Sequence, residues 1–191
     1  MEVNISSTIL FLDTEFTELS RKSQLISLAL LCEDSDDFFY AEFSEIEKGK
    51  CSQWIQENII TRLQFQNTKT FLNRTKNSVS IKNKKPAITT ELKKWIKQFE
   101  SVEIWADCLA YDWVLFCDLF GNARKLPENI LYIPFDISTM LKLRNLNPDL
   151  DRLKYCEKIK GKKFITELME KSNGQHNSLF DAFISREVYR K

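Results

Sequence analysis

The apolar residues near the start of the chain fall into three short runs separated by polar turns. Residues 8–12 are apolar and partly β-branched, residues 24–32 read QLISLALLC, and residues 37–43 read DFFYAEF. Apolar runs of this length between acidic turns predict β-strands. Because the connections are short, we expect an antiparallel meander whose first strand is buried and ends at Asp13.

Later segments alternate between helical and extended patterns. Apolar residues, among them Trp54, recur at helical spacing in residues 51–63, and a stripe that includes Trp95 follows a threonine cap in residues 88–99. The other predicted elements are a strand at 102–106, a helix at about 109–120, a strand at 131–135, a helix at 136–143 and a terminal helix at 176–189. Together these elements predict an α/β fold, a mixed five-stranded sheet flanked by helices.

Residues 64–87 differ from their surroundings, since they are rich in Lys, Asn, Thr and Ser and contain no acidic residue. This composition predicts an exposed polar loop. A basic loop that contacts phosphates is the less favoured alternative. No internal repeat and no Pro/Gly-rich linker divides the chain, so residues 1–191 are expected to form a single domain.

Composition and charge exclude several classes of protein. The 43% of hydrophobic residues and 29% of charged residues are typical of a folded protein. Five cysteines without a CxxC pair argue against a zinc ribbon or a secreted disulfide framework and favour a reducing cytoplasm. We find no targeting segment and no apolar run near the roughly 20 residues that cross a bilayer, so no membrane association is expected. A net charge of +1 is mild evidence against tight binding of duplex nucleic acid.

Two acidic residues at the end of the first predicted strand are candidate metal ligands. Asp13 and Glu15 lie two positions apart, so both side chains point to one face of the strand while Thr14 points to the other. Two ionised carboxylates side by side usually have a cation between them, and hard oxygen ligands favour Mg²⁺ or Mn²⁺ over zinc. Taken alone, such a tripeptide is more often simply solvated.

Two later motifs carry further candidates. Asp112 lies early in the helix predicted after strand 102–106, between two aromatic residues, whereas Asp107 is interpreted as a cap or turn residue. His176, which is the one histidine of the chain, precedes Asp181 by five residues in HNSLFDA. A lone histidine is usually structural, but beside a flexible Asn-Gly pair and a helix-borne acid it suits a general base.

In this order, the motifs FLDTEF, AYDW and HNSLFDA resemble those of the DEDDh exonucleases, a family with the RNase H fold. The resemblance implies that Asp13, Glu15, Asp112 and Asp181 bind two divalent metal ions, Mg²⁺ or Mn²⁺. It also implies that His176 is the general base that activates water.

The chain is most similar, over nearly its whole length, to the bacterial polyadenylate-specific 3′-exoribonuclease AS group, which resembles RNase T in its substrates. The likeness rests on DTEF with QLISLAL, EDSDDFFYAEFSE and IWADCLAYDWVLFCDLFG. It implies single-stranded RNA 3′ ends or overhangs as the substrate and a possible homodimer. The polar loop and the form ADCLAYD depart from the group and leave substrate preference open.

The resulting hypothesis is a 3′-5′ exoribonuclease that releases nucleoside 5′-monophosphates by a two-metal mechanism. Phe16, Tyr111 and Trp113 flank the acidic positions and are candidates for stacking on a terminal base, although aromatic residues in such places are more often core. The backbone at Thr14 or the carboxylate of Glu15 is a candidate contact to a 2′-hydroxyl. A 3′-5′ DNA exonuclease and a non-catalytic nucleic-acid-binding or partner module are the alternatives.

Overall fold

A mixed seven-stranded sheet forms the centre of the molecule, seen in a computed structural model that describes residues 7–47, 49 and 51–191. The order of strands is β4-β5-β3-β2-β1-β6-β7. Their bounds are β1 Thr8–Phe16, β2 Leu25–Cys32, β3 Phe38–Phe43, β4 Phe71–Arg74, β5 Val79–Asn83, β6 Val102–Ala106 and β7 Phe135–Asp136. The α/β class and the mixed sheet are confirmed, while the number of strands was underestimated.

The first three strands pair in sequence as the predicted antiparallel meander, which is confirmed. The end of β1 was placed wrongly, however, because the strand continues past Asp13 to Phe16. The backbone of Asp13 and Glu15 pairs with Ala29 and Ser27 of β2. Main-chain pairing does not depend on side-chain polarity, so acidic side chains can project from a strand that is still paired.

Helices cover both faces of the sheet. Residues of α2 and α3 pack on one face together with Leu10 and Leu12, and residues of α4 to α7 pack on the other together with Phe11. This alternation follows the two-residue period of β1. The helices are α1 Gln53–Asn58, α2 Lys85–Ile96, α3 Ala110–Leu119, α4 Ile137–Leu143, α5 Arg152–Lys160, α6 Lys162–Ser172 and α7 Ser178–Tyr189.

The segment predicted as an exposed loop at 64–87 contains β4 and β5 instead. Strand β5 pairs in parallel with β3 and buries Val79 and Ile81, so this prediction was wrong. Helix α2 likewise begins at Lys85, with Pro86 in its first turn and no side-chain cap, rather than at a threonine near residue 88. Proline suits the first turn of a helix because the amide it lacks has no partner there.

The predicted strand at 131–135 is also wrong for most of its length. Phe135 and Asp136 pair with β6 as a strand, an isolated bridge joins Ile130 to Val102, and Tyr132 and Ile133 between them each remain 63% exposed at the edge of the sheet. Helices α5 and α6 have no counterpart among the predicted elements. In the part of the chain that the structure describes, we find no helix with the length and apolar character to cross a bilayer. Residues 1–6, which bear on the expected absence of a targeting segment, lie outside the described residues.

Candidate active site

Carboxylates from three separate elements lie close together, and those of Asp13, Glu15 and Asp181 line one cavity. Asp13 and Glu15 project from β1, Asp112 lies in the first turn of α3, and Asp181 lies in the first turn of α7. Side-chain atoms of Glu15, Asp181 and His176 lie within 4.8 Å of one another. The structure therefore brings together the acids and the histidine that lie far apart in the sequence.

Thr14 explains how Asp112 joins this group from the opposite face of β1. Both the backbone amide and the hydroxyl of Thr14 donate hydrogen bonds to Asp112 Oδ1, at 2.9 and 2.6 Å. The side chain of Thr14 points away from Asp13 and Glu15, as the two-residue period predicts. Thr14, predicted to bind substrate, is 5% exposed and fixes the carboxylate of Asp112.

The segment before α7 places His176 beside Asp181. The backbone amide of His176 donates a hydrogen bond of 2.9 Å to Asp181 Oδ2, and the backbone at His176 adopts a left-handed conformation with φ of 64°. A residue other than glycine holds this conformation only where its surroundings impose it. The terminal helix begins at Ser178, two residues later than predicted, with Asn177 as its cap.

Beneath His176, a buried set of hydrogen bonds holds its segment against the sheet. Asn177 Nδ2 donates to the hydroxyl of Tyr40 at 3.1 Å and to the carbonyl of Arg62 at 2.9 Å. Tyr40 donates in turn to Glu42 Oε1 at 2.9 Å, and both side chains are fully buried. Burial, reinforced by the negative charge of Glu42, keeps the pKa of Tyr40 well above its ordinary value, so its hydroxyl stays a donor.

Burial and mutual repulsion disturb the ionisation of the acids. Burial raises the pKa of Asp13 well above its ordinary value, and the negative charges of its carboxylate neighbours, Asp181 foremost, raise it further. The pKa of Glu15 is raised by the same two causes. Burial raises the pKa of Asp181 to about 7 and that of Asp112 to about 6, against the opposing effect of hydrogen bonds. Such a group becomes fully ionised at neutral pH only with a compensating cation.

The donor set fits a hard divalent cation. Carboxylate oxygens are the ligands that Mg²⁺ and Mn²⁺ prefer, and no cysteine lines the cavity within the described residues. His176 is suited to accept a proton, because burial and the positive charge of Arg62 lower its pKa and keep the ring neutral near pH 7.

The cavity beside these groups has a volume of about 760 Å³ and contains residues that the sequence did not single out. Trp54 was assigned to a buried helical stripe, but it is 53% exposed, lines the cavity and meets the ring of His176 edge-on at 5.2 Å. Asp107, interpreted as a cap or turn residue, lines the cavity and pairs with Arg152 at 2.8 Å. Nothing in the helical pattern marked Trp54 as outward-facing.

The aromatic residues predicted to contact substrate occupy two different environments. Phe16 lines the cavity and stacks on Tyr111, with ring centroids 5.6 Å apart, and Tyr111 is 37% exposed. Trp113 instead packs against the core and stacks on Phe116 at 5.9 Å. A base that enters the cavity can therefore reach Phe16 more directly than Trp113.

Comparison with known proteins places this geometry in a family. Residues 8–190 match the family model described as the Rv2179c-like 3′-5′ exoribonuclease domain. The chain is similar to the 3′-5′ exoribonuclease Rv2179c of Mycobacterium tuberculosis strain H37Rv and to the 3′-5′ exoribonuclease MT2234.1 of strain CDC 1551. Each is 26% identical over 122 residues, which is 63% of this chain and 66% of the relative, just under two thirds of its length.

Proposed function

The chain belongs to the Rv2179c-like 3′-5′ exoribonuclease domain family, and on that premise we propose that it removes nucleotides from RNA 3′ ends. The observation that carries the proposal is the meeting of Asp13, Glu15 and Asp181 with His176 at one cavity, with Asp112 directly behind. Four acids and one histidine in this arrangement match the pattern of the DEDDh exonucleases, to which we assign the site.

We assign two divalent ions, Mg²⁺ or Mn²⁺, to Asp13, Glu15, Asp112 and Asp181. When bound, such ions activate water and neutralise charge that develops on a phosphodiester in hydrolysis. The chain's own contribution is to present carboxylates held by β1, α3 and α7. Thr14 occupies Oδ1 of Asp112 with two hydrogen bonds, which orients the other oxygen for coordination.

His176 is the proposed general base. Its lowered pKa leaves the ring neutral at physiological pH, and the closeness of the ring to the carboxylates of Glu15 and Asp181 supports its role as acceptor of the water's proton. Transfer of the water's proton to His176, attack on phosphorus and departure of the 3′ oxygen would release a nucleoside 5′-monophosphate.

The substrate we propose is a single-stranded RNA 3′ end or overhang in the cytoplasm. Phe16, stacked on Tyr111, and Trp54 are the aromatic residues best placed to stack on unpaired bases, whereas Trp113 supports the core. A single strand rather than a duplex suits a cavity of this size, because its bases are free to enter. The homodimer implied by the resemblance belongs to the same proposal, and sedimentation analysis tests it.

The decisive experiment is digestion of a 5′-labelled single-stranded RNA and a matched DNA with Mg²⁺ or Mn²⁺ present. We expect a ladder that shortens from the 3′ end, stops on addition of EDTA and is weaker on DNA. Equal rates of shortening on the RNA and on the DNA would favour the DNA exonuclease alternative. Binding without any shortening of either strand would favour the non-catalytic module and refute the proposal.

A further inference from the structure

A second cavity adjoins the candidate active site and differs from it in charge. It has a volume of about 520 Å³ and is lined by Thr61, Arg62, Met169, Asn173, Gly174 and Gln175. Gln175 lines both cavities, so the two lie next to each other on either side of the residue before His176. Arg62 is the one charged residue in this lining, which contains no carboxylate.

Arg62 is an exposed cation close to His176. Among residues 7–47, 49 and 51–191, no carboxylate pairs with its guanidinium, whereas Arg152 of the first cavity is paired with Asp107 at 2.8 Å. Its positive charge also lowers the pKa of the His176 ring, in addition to the larger effect of burial. Arg62 is therefore an unneutralised cation beside the proposed base.

The backbone of Arg62 is fixed to the segment that carries His176. Its carbonyl accepts hydrogen bonds from Asn173 Nδ2 at 3.2 Å and from Asn177 Nδ2 at 2.9 Å. Asn177 is fully buried and also caps α7, so the spacing between Arg62 and His176 is set by the core. A cation whose backbone is anchored beside the reacting centre stays within reach of a ligand group that leaves this centre.

The charges around the first cavity limit how a nucleic acid strand can leave it. Glu18 lines that cavity in addition to the proposed metal ligands, and these carboxylates repel phosphates that carry no bound cation, whereas Asp107 and Asp151 are paired with Arg152 and Lys154. The second cavity offers an exit without this repulsion and places a guanidinium in it. A guanidinium matches the geometry of a phosphate and can donate two hydrogen bonds to it.

We propose that Arg62 binds a phosphodiester upstream of the scissile one, in a single strand that leaves the active site through the second cavity. This subsite rests on the proposed function, since it assumes that the 3′ end lies at the acidic group. Because the ligand of this subsite is the phosphate backbone, the subsite favours longer strands and does not distinguish between base sequences.

The test compares Arg62→Gln with the unaltered chain on two substrates. A dinucleotide has only the scissile phosphodiester, whereas a single-stranded hexanucleotide also has upstream ones. At about pH 8 the ring of His176 is neutral with or without the charge of Arg62. Under this condition we expect KM for the hexanucleotide to rise about tenfold, the loss that corresponds to one charge-assisted contact, with kcat and KM for the dinucleotide nearly unchanged. Unchanged KM on the hexanucleotide, or an equal rise on both substrates, would overturn the subsite.

A matched control and a binding measurement separate this proposal from the function on which it rests. Arg62 ends the short 3₁₀-helix Ile60–Arg62. Arg124→Gln makes the same change at another exposed arginine, in the short 3₁₀-helix Ala123–Lys125, and is expected to leave every parameter unchanged. Binding of a labelled hexanucleotide is then compared between Asp13→Asn and Asp13→Asn with Arg62→Gln. We expect about tenfold weaker binding and a salt slope smaller by about 0.7 in the double variant. If the unaltered chain cuts no RNA, the proposed function fails, and equal binding by the two variants overturns the subsite separately.

Discussion

The two adjoining cavities, one proposed to carry out the chemistry and the other proposed to hold the strand, are built very differently. The first lies beside buried acids that raise one another's pKa, and two of them, Asp112 and Asp181, are held by hydrogen bonds from Thr14 and His176. The second has a single exposed cation among neutral side chains. Groups that take part in a reaction need costly burial and exact support, whereas a phosphate contact needs only a charge at the right distance.

The strongest test of this difference between the two cavities is a substitution within the acidic group. Asp13→Asn keeps the volume of the side chain but removes one ligand charge, and we expect turnover to fall by more than the roughly 10²–10⁴-fold contribution of a single general base. Binding of RNA should be retained. Asp118→Asn, at an exposed aspartate of α3, is the matched control for turnover. Near-normal turnover by Asp13→Asn would remove the acidic cavity from the chemistry altogether.

Replacement of the histidine should have the next largest effect. His176→Ala is expected to lower kcat by about 10²–10³-fold with little change in KM, because it removes the proton acceptor and leaves the acids in place. The unaltered chain should gain activity as pH rises through the lowered pKa of His176, and the variant should lack this limb of the profile. An identical profile in both proteins would assign the base elsewhere.

The buried support of the histidine should matter less than the histidine itself. Tyr40→Phe removes the hydroxyl that joins Asn177 to Glu42, and we expect kcat to fall about tenfold, the scale of a lost outer partner. Combined with His176→Ala it should cause no further loss, because both changes act on one group. Trp95→Phe, which loses a partly buried hydrogen bond on the other face of the sheet, is the control. Additive losses would show that Tyr40 acts on the fold in general.

The smallest expected effect is a change of the melting temperature with pH. It should arise from the acids of the first cavity and not from the second cavity, which has no carboxylate among its described lining residues. An acid whose pKa is raised by folding binds more protons in the folded state, so stability is greatest below about pH 4 and is lost as pH rises through the folded value, about 7 for Asp181. In EDTA the melting temperature should therefore fall by a few degrees across this interval, and Mg²⁺ should restore it. A melting temperature insensitive to both pH and Mg²⁺ would contradict a metal site.

Much of the fold could be predicted because hydrophobic periodicity is strong in its central elements. The runs at 24–32 and 102–106 became strands β2 and β6, and HNSLFDA became the start of α7. The hairpin of β4 and β5 was missed because Val79 and Ile81 are isolated apolar residues in a basic, polar context. Its pairing with β3 is a tertiary contact that local composition does not record.

The residues of the candidate site also differ in whether the sequence alone could reveal them. Asp13, Asp112 and Asp181 could be found because acids in apolar segments are unusual, and unusual residues are informative in a sequence. Trp54 and Arg62 could not, since an aromatic residue in an amphipathic helix and a lysine- or arginine-rich surface are both ordinary. Their significance comes only from the position of His176 in space.

The distribution of the acidic group along the chain has a consequence during synthesis. β1 supplies Asp13 and Glu15 and is the first described strand to leave the ribosome, while α7 supplies Asp181 and is the last described helix. Domains fold as they are made, at about 5–20 residues per second. On the proposed function, a nascent chain therefore cannot degrade the messenger that encodes it until translation has passed residue 181, because Asp181, one of the four proposed metal ligands, does not yet exist.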